Sequence, residues 1–286
     1  MKQRPVLGFI GAGRVAKVLV HEFDRIGYPV AAVASRSPSS AEAAAALVPL
    51  TRSVTAQQVA DMVDVVFVTT SDSAIAEVAA AIRWRSGQAV VHCSGALTLQ
   101  PLSPARDAGA IVGSWHPFQT FGGSTLLPGA TFGIEADDEL LGFLDRLTEE
   151  IGGFPLRVPA AARPLYHAAS VMSCGYLTTL LNEARVLWER AGLAPDAAMA
   201  AIGHIASSTV ANLRSTGAEL SLTGPIARGD QGTVRAHLEG IRSAVPELLP
   251  LYREIGLRSI ALAKAAGRPG GSVDWTDVFE ESGDGG

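Results

Sequence analysis

With 286 residues, the chain is longer than one typical domain, so two domains are expected. Its 48% hydrophobic and 18% charged residues indicate a soluble globular protein, and its net charge of −5 argues against nucleic acid as the main partner. No apolar run is long enough to span a membrane and no signal-peptide pattern precedes the first strand, which favours a cytoplasmic location without a membrane partner.

The chain begins with a strand, a glycine turn, a helix and a second strand, all between Val6 and Ser37. The turn has the G-x-G-x-x-A form of the dinucleotide fingerprint, in which glycines permit a tight turn and a close approach of the backbone to a pyrophosphate. The helix that follows directs free N–H groups and a partial positive charge at the phosphates. The alternative is the glycine turn of an α/β protein that binds no cofactor. We predict that a dinucleotide binds here, at Gly11, Ala12, Gly13, Arg14 and Val15.

The second strand, Val30 to Ala34, ends in the polar segment Ser35-Arg36-Ser37. The acidic residue that would bind the ribose 2′-hydroxyl of NAD at this point is absent. An arginine between two hydroxyl groups suits a 2′-phosphate, because it offers charge-assisted hydrogen bonds. The segment therefore predicts NADP rather than NAD, unless Arg36 is an ordinary solvated loop residue.

A polar loop follows the next buried strand, Val65 to Val68. It begins with Thr69, Thr70 and Ser71, at the carboxyl edge of the predicted sheet, where ligands bind in open α/β folds. These residues either contact the phosphate or ribose of the cofactor, or they cap the helix that follows. Both interpretations remain open.

Two further strands lead into segments with hydroxyl and imidazole groups at the same predicted edge. Ala89 to His92 leads to Ser94, and Ile111 to Ser114 leads through Trp115 to His116. Ser94 is a candidate for bonding a substrate oxygen or the nicotinamide amide, although loop serines more often close a turn. His116 is a candidate for contacting the substrate, since the following proline restricts its backbone.

The remaining pattern predicts an α/β protein with two domains. A Rossmann domain, with a doubly wound and mostly parallel sheet, is expected in residues 1–159, and an all-helical domain in residues 160–267. A Gly-rich, acidic and flexible tail is expected in residues 268–286. The helices of the second domain are predicted at residues 165–191, 195–213, 231–241 and 246–266.

Four motifs carry a resemblance to a known superfamily. They are His92-Cys93-Ser94-Gly95-Ala96, Trp115-His116-Pro117-Phe118-Gln119, Tyr166-His167-Ala168-Ala169, and the loop 222–230 with His237 after it. With the domain order, they resemble the 6-phosphogluconate dehydrogenase-like superfamily, which includes ketopantoate, pyrroline-carboxylate and deazaflavin-dependent NADP reductases. The chain is most similar to a branch that joins a Rossmann-like domain to a C-terminal domain of unknown function. It departs from that branch at Ser173-Cys174-Gly175-Tyr176, where the branch often carries Ser-Asn-Tyr.

The resemblance implies a reductase, which needs a hydride donor and a group that polarises the acceptor and supplies a proton. Several superfamily members use a lysine on the long helix, but this chain has no lysine between Lys17 and Lys264. His167, in the first turn of that helix, and His116 are therefore the candidate proton donors, with Ser94 as a further candidate catalytic residue. A packing or capping role for His167 remains the alternative, and the residues do not decide between the two histidines.

These observations predict an NADP(H)-dependent oxidoreductase that reduces a small polar carbonyl or imine compound, with a 2-oxo acid such as ketopantoate as the leading example. A non-catalytic NADP-binding sensor is the alternative. No metal is predicted, since the histidines are scattered singly along the chain.

A homodimer through the helical domain is also predicted. The helix from Ala198 to Leu213 is rich in small and apolar residues, and related superfamily members bury such surface in a two-fold dimer. The alternative is that a single subunit covers these faces itself.

Overall fold

The computed structural model describes residues 3–123 and 125–280. In this part of the chain eight strands form one sheet in the order β3-β2-β1-β4-β5-β6-β7-β8, and all neighbours are parallel except β6 and β7. The strands are β1 (Leu7–Ile10), β2 (Val30–Ala34), β3 (Arg52–Ser53), β4 (Val65–Val68), β5 (Ala89–His92), β6 (Ile111–Phe118), β7 (Thr131–Ala136) and β8 (Phe154–Arg157). This arrangement confirms the predicted doubly wound, mostly parallel sheet.

Within the described residues, seven helices accompany the sheet. They are α1 (Arg14–Arg25), α2 (Pro38–Ala45), α3 (Ala56–Met62), α4 (Asp72–Ala81), α5 (Ser103–Asp107), α6 (Asp138–Ile151) and α7 (Arg163–Val171), with 3₁₀ turns at Gln100–Leu102 and Ala160–Ala162. One apolar cluster joins the sheet to α1 and α6, and a second joins it to α3, α4 and α5. Because helices cover both faces, the central strands β1, β4 and β5 are buried along their whole length, and they are apolar apart from His92 at the end of β5.

The strand β6 is longer than the sequence indicates. We predicted that it ends at Ser114, with Trp115 and His116 in a loop, but both lie inside the strand. The reason is its antiparallel pairing with β7, which continues to Phe118 and which the apolar pattern does not reveal. Trp115 is buried and stacks on Phe132 with ring centroids 4.3 Å apart, so strand alternation places the neighbouring His116 on the opposite face of the sheet.

The rest of the described chain is helical, which confirms the predicted class of the second region. A π turn at Met172–Tyr176 interrupts the predicted long helix. The elements after it are α8 (Leu177–Arg190), α9 (Pro195–Ser221), α10 (Pro225–Arg228), α11 (Gln231–Ala244), α12 (Leu249–Ala265) and α13 (Thr276–Phe279), with 3₁₀ turns at Pro246–Leu248 and Pro269–Ser272. The chain divides into two compact units, residues 1–174 and 175–286. The boundary at residues 159 and 160 stays a prediction.

The prediction of a flexible tail from residue 268 is wrong for residues 268–280. Trp275, Val278 and Phe279 are buried, and they pack against Val234 and Leu238 of α11. Their spacing, i, i+3 and i+4, gives α13 an apolar side that the Gly-rich and acidic composition around it conceals. Residues 281–286 lie outside the described part of the chain.

Candidate active site

The glycine turn after β1 has the geometry that the fingerprint predicts. Gly11 has φ of +113°, and an added Cβ would lie 2.5 Å from the backbone of Thr69, so only glycine fits this position. Gly13 precedes α1 and is exposed, with nothing within 4 Å of an added Cβ. Arg14 and Val15 open α1, whose first N–H groups have no partner inside the helix.

A cavity of about 360 Å³ lies against this turn. Its walls are residues 13–15, residues 69–71 after β4, and residues 120–122 after β6. Helix N–H groups, a glycine backbone and hydroxyl groups thus line one cavity, and this combination suits the pyrophosphate and ribose of a dinucleotide. Gly11 and Ala12 are buried beneath the cavity, where they shape the turn.

The hydroxyl groups after β4 differ in their surroundings. Thr69 is buried, and its hydroxyl donates to the carbonyl oxygen of Gly11 at 2.9 Å, so this side chain holds the glycine turn in place. Thr70 is half-buried and Ser71 is exposed. Ser71 occupies the N-cap position of α4, but its side chain makes no capping hydrogen bond. Cofactor contact by Thr70 and Ser71 stays a prediction.

The segment Ser35-Arg36-Ser37 lies beside the glycine turn. The backbone N–H of Gly11 donates to the carbonyl oxygen of Ala34 at 2.8 Å, which ties the turn to the end of β2. Ser37 caps α2, since its hydroxyl accepts from the N–H of Ser40 at 3.3 Å. Arg36 is exposed between the two serines, at the edge where the sequence predicts the 2′-phosphate.

A second group of functional side chains lies where α7 meets the ends of β5 and β6. Arg163, Tyr166 and His167 occupy positions i, i+3 and i+4 of α7, so they share one face of the helix. The Nδ1 atom of His116 and the hydroxyl oxygen of Tyr166 are 2.8 Å apart, a hydrogen-bond distance. The rings of His116 and His167 meet edge to face with centroids 6.2 Å apart. The structure thus brings both candidate proton donors together.

Arg163 fixes the beginning of α7. Its side chain is fully buried, its Nε donates to Glu135 of β7 at 2.7 Å, and its Nη1 donates to the carbonyl oxygen of Ser94 at 3.3 Å. Its Nη2 atom is buried without a hydrogen-bond partner among the described residues. Removing a charged guanidinium from water is costly unless it is paired, so these bonds hold the helix against β7 and the turn after β5.

Gly95 lies against the rings of both histidines. A Cβ at this position would lie 2.7 Å from Cε1 and Nε2 of His116 and 2.9 Å from Cδ2 of His167. Both rings therefore pack directly on the glycine backbone, and any side chain at residue 95 would displace them.

The surroundings of His116 keep its ring neutral near pH 7. Burial lowers the pKa of His116 to about 4, and the positive charges of His167 and Arg163 act in the same direction. Burial also raises the pKa of Tyr166 to about 12, so the phenol keeps its proton. His116 is thus suited to donating a hydrogen bond as a neutral imidazole rather than to acting as a charged acid.

The structure favours a structural role for Ser94. The residue is buried, and its hydroxyl donates to Asp72 at 2.8 Å and accepts from the N–H groups of Ala96 and Leu97. Its own N–H donates to Nδ1 of His92 at 3.2 Å. The predicted contact with substrate is therefore not supported, because the hydroxyl already holds the turn that presents Gly95.

Sequence reasoning gave no site role to four residues that the structure brings into this site: Gly95, Glu135, Arg163 and Tyr166. Gly95 and Tyr166 were named only as parts of the motifs that carry the resemblance. The spacing of Arg163, Tyr166 and His167 on one helix face was a local signal for two of them. Glu135 and Gly95 carry no such signal, since their roles depend on contacts with residues distant in the sequence. Among the described residues, no group of three or more His, Cys, Asp or Glu side chains could hold a metal ion, and no helix is long and apolar enough to cross a membrane.

Two known family models match successive parts of the chain. Residues 1–117 match the model of a Rossmann-like domain, and residues 130–259 match the domain of unknown function DUF2520. The match to a Rossmann-like domain is thus followed along the chain by the match to DUF2520. This order of matches confirms the resemblance to the branch that joins a Rossmann-like domain to a C-terminal domain of unknown function. Gly95 and His116 belong to the Rossmann-like match, whereas Tyr166 and His167 belong to the DUF2520 match, so the site draws on both.

Solved structures share this fold. A Bacteroides fragilis protein whose name assigns it to the NADP oxidoreductases is 23% identical, with a TM-score of 0.75 over 89% of this chain and 97% of that one. The 1-pyrroline-5-carboxylate reductase of Streptococcus pyogenes is 15% identical, with a TM-score of 0.66 over 91% and 98%. A reductive aminase of Aspergillus terreus, in complex with NADPH and ethyl-5-oxohexanoate, is 15% identical, with a TM-score of 0.66 over 98% and 99%. None of the curated proteins matches this chain.

Proposed function

We propose that this protein is an NADP(H)-dependent oxidoreductase that reduces the C=O or C=N bond of a small polar compound. The observation that carries the proposal is the pairing of two sites in one compact unit. One is the cavity against the glycine turn, and the other is the His116–His167 pair packed on Gly95. The neighbouring structures support it, since one is a reductive aminase bound to NADPH and another is a pyrroline-carboxylate reductase.

The residues present fit the nicotinamide cofactor. The N-terminus of α1 and the exposed Gly13 would bind its pyrophosphate, Thr70 and Ser71 would lie near its ribose, and Arg36 would bind the 2′-phosphate. When bound, NADPH supplies a hydride to the carbon of the C=O or C=N bond, whose π electrons move to the oxygen or nitrogen atom.

That oxygen or nitrogen atom must then take up a proton. His167 is half-buried and adjacent to His116, and we assign the proton donation to His167. The neutral ring of His116 would orient the same atom by a hydrogen bond. Because 2-oxo acids and cyclic imines both present a polar double bond of this kind, a 2-oxo acid such as ketopantoate and a cyclic imine are the first substrates to test.

A panel of NADPH oxidation assays tests the proposed reaction. Purified protein would be mixed with NADPH and a 2-oxo acid, a cyclic imine or a deazaflavin, and the loss of absorbance at the nicotinamide band would be followed. Turnover of one class, abolished by His167→Gln, is the expected result. Binding of NADPH with no oxidation across the panel would favour the non-catalytic NADP sensor instead.

Arg36 is proposed to select NADP over NAD. Calorimetric titration should show tighter binding of NADPH than of NADH, and Arg36→Ala should remove most of that difference. The loss of a charge-assisted hydrogen bond predicts a cost of about 1.5–3 kcal/mol in NADPH binding. Arg258, which pairs with Glu254 on the exposed side of α12, provides the control Arg258→Ala, which should bind as the parent does. Equal affinities of the parent protein for NADPH and NADH would contradict this selectivity.

We also propose a homodimer formed through the helical unit. The long helix α9 exposes several large apolar side chains, whereas its Ala198 and Ile202 are buried. The exposed ones are Met199, Ile205, Val210, Leu213 and Leu220. Large apolar side chains exposed in this number on one helical segment are usually covered by a partner. Light scattering should therefore give twice the single-chain mass of 29.7 kDa, and a mass near 29.7 kDa would exclude the dimer.

A further inference from the structure

We propose that Tyr166 is a positioning residue, which fixes His116 in the tautomer that carries hydrogen on Nε2 and so presents a hydrogen-bond donor to the reacting atom of the substrate. The statement that His116 presents this donor to the reacting atom of a substrate rests on the proposed reductase function. The tautomer itself is a property of the protein alone.

The hydrogen bonds of the Tyr166 hydroxyl carry the inference. Its oxygen lies 2.8 Å from Nδ1 of His116. The backbone of Gly133 acts to lower the pKa of the phenol, which is the effect of a group that donates to the same oxygen. Gly133 is paired with His116 across β6 and β7, and a Cβ at Gly133 would lie 2.5 Å from the hydroxyl oxygen. The phenol thus occupies the space that the missing side chain leaves, and its oxygen accepts from the strand.

The hydroxyl hydrogen then has Nδ1 of His116 as its acceptor. A phenol has one hydrogen to donate, and a neutral imidazole has one nitrogen that accepts and one that carries hydrogen. When Nδ1 accepts from Tyr166, the hydrogen of the ring must be on Nε2. The tautomer of His92 is fixed in the same way. The N–H of Ser94 donates to its Nδ1, so its Nε2 carries the hydrogen and donates to the carbonyl oxygen of Thr98 at 3.0 Å.

The Nε2 atom is the one that faces the site. It lies beside the backbone of Gly95, and an added Cβ there would lie 2.7 Å from Nε2 and 2.9 Å from the ring of His167. A carbonyl oxygen or imine nitrogen next to Gly95 would therefore meet a neutral N–H donor from His116 and a proton donor from His167. The two histidines thus have different roles. The hydrogen bond from Tyr166 makes His116 the neutral N–H donor, whereas His167 supplies the proton.

Charged and titratable groups around His116 come from three elements. Arg163, Tyr166 and His167 lie on α7, His92 lies on β5, and Glu135 on β7 pairs with Arg163. The positive groups oppose protonation of His116, and burial opposes it further, so the pKa of His116 falls to about 4. Near pH 7 the ring is therefore neutral, which is the state that the bond from Tyr166 requires.

Nitrogen NMR of the imidazole rings tests the proposal without any substrate. The full-length protein would be labelled with ¹⁵N-histidine, its six histidines recorded by long-range ¹H–¹⁵N correlation, and the His116 signals assigned by their loss in His116→Gln. The parent protein should show His116 with hydrogen on Nε2 at pH 6 to 8. Hydrogen on Nδ1 in the parent protein would overturn the proposal.

The variant Tyr166→Phe tests whether the phenol fixes the ring. Because the bond to Nδ1 stabilises the neutral form, its loss should shift the Nδ1 signal and raise the pKa of His116 by about one unit. Tyr252→Phe is a matched control, since Tyr252 makes an equivalent bond of 2.7 Å to Nδ1 of His237 in the helical unit, and it should leave the His116 signals unchanged. An unchanged Nδ1 shift or an unchanged pKa of His116 in Tyr166→Phe would overturn the proposal.

Kinetics then connect the tautomer to the reaction. On a substrate that the NADPH assay identifies, Tyr166→Phe should lower kcat roughly tenfold, as expected for one lost hydrogen bond, with little change in KM, and should shift the acid limb of the kcat profile to higher pH. If no substrate is turned over, the proposed function fails while the NMR result stands. If the tautomer is wrong but turnover is found, only the role of Tyr166 fails.

Discussion

The substitution Gly95→Ala provides the sharpest test of the site geometry. Its new Cβ would lie 2.7 Å from Cε1 and Nε2 of His116 and 2.9 Å from Cδ2 of His167. To restore an ordinary contact of about 3.5 Å, the ring of His116 must retreat by roughly 0.8 Å. Tyr166 stands behind that ring at hydrogen-bond distance, so the retreat compresses or breaks the bond between them.

The expected cost follows from the packing. Forcing an extra methyl group into a closely packed site typically costs about 1–3 kcal/mol of unfolding free energy, and displacing a catalytic group by about 1 Å can lower the rate roughly 100-fold. Gly95→Ala should therefore be destabilised by about 1–3 kcal/mol and nearly inactive. Urea denaturation measures the first effect, and the NADPH oxidation assay measures the second.

Gly240 supplies the matched control. It lies in α11, and nothing lies within 4 Å of a Cβ added there. Gly240→Ala should stabilise the protein by roughly 0.5–1 kcal/mol through helix propensity, with activity unchanged. If Gly95→Ala were as stable and as active as the parent protein, the two histidine rings would not pack on Gly95, and the site described above would be refuted.

Three further predictions follow from the buried groups. Arg163→Met should cost about 3–5 kcal/mol of unfolding free energy, because it leaves Glu135 unpaired beside a buried site. A double-mutant cycle that combines it with Glu135→Gln should show strong coupling between the two residues, and purely additive effects would contradict the pairing. The unfolding free energy should fall as the pH drops from about 6.5 towards 4. Burial lowers the pKa of His92 and of His116 from 6.5 to about 4, so in this pH range these two histidines bind protons in the unfolded chain but not in the folded one. His92→Gln should flatten this dependence whereas the exposed His21→Gln should not, and equal slopes in both variants would contradict it. Trp275→Ala should cost about 3–5 kcal/mol, as for a buried core aromatic residue, whereas a change within ±0.5 kcal/mol would mean that residues 268–280 do not pack as described.

The sequence predicted those parts of the fold that local patterns specify. Apolar runs such as Val65 to Val68 predict buried strands, and the glycine spacing from Gly11 predicts the turn, because each depends on neighbouring residues only. The end of β6 could not be predicted in this way, since it depends on pairing with β7 across more than ten intervening residues. The packed segment around Trp275 was missed for a related reason, because its composition resembles a tail while its burial depends on α11.

The residues of the site show the same difference between local patterns and long-range contacts. The histidines His116 and His167 were found because a titratable side chain at a strand end or a helix start is visible in the sequence. Their partners were not, since the bond between His116 and Tyr166 joins residues 50 positions apart and that between Arg163 and Ser94 joins residues 69 apart. A single sequence gives the residue types that chemistry needs, and only the tertiary fold shows which of them meet.

The way in which α7 is held explains why these long-range contacts matter. Arg163 is the one buried residue of this helix, and its Leu165 is 81% exposed, so little apolar packing within the described structure fixes the helix on the sheet. Its position depends on directional bonds instead, those of Arg163 to Glu135 and to the Ser94 carbonyl and that of Tyr166 to His116. Apolar contacts tolerate small displacements, whereas hydrogen bonds weaken steeply with distance and angle. A helix held in this way keeps His167 within a narrow range of positions beside Gly95, which is what a proton donor requires.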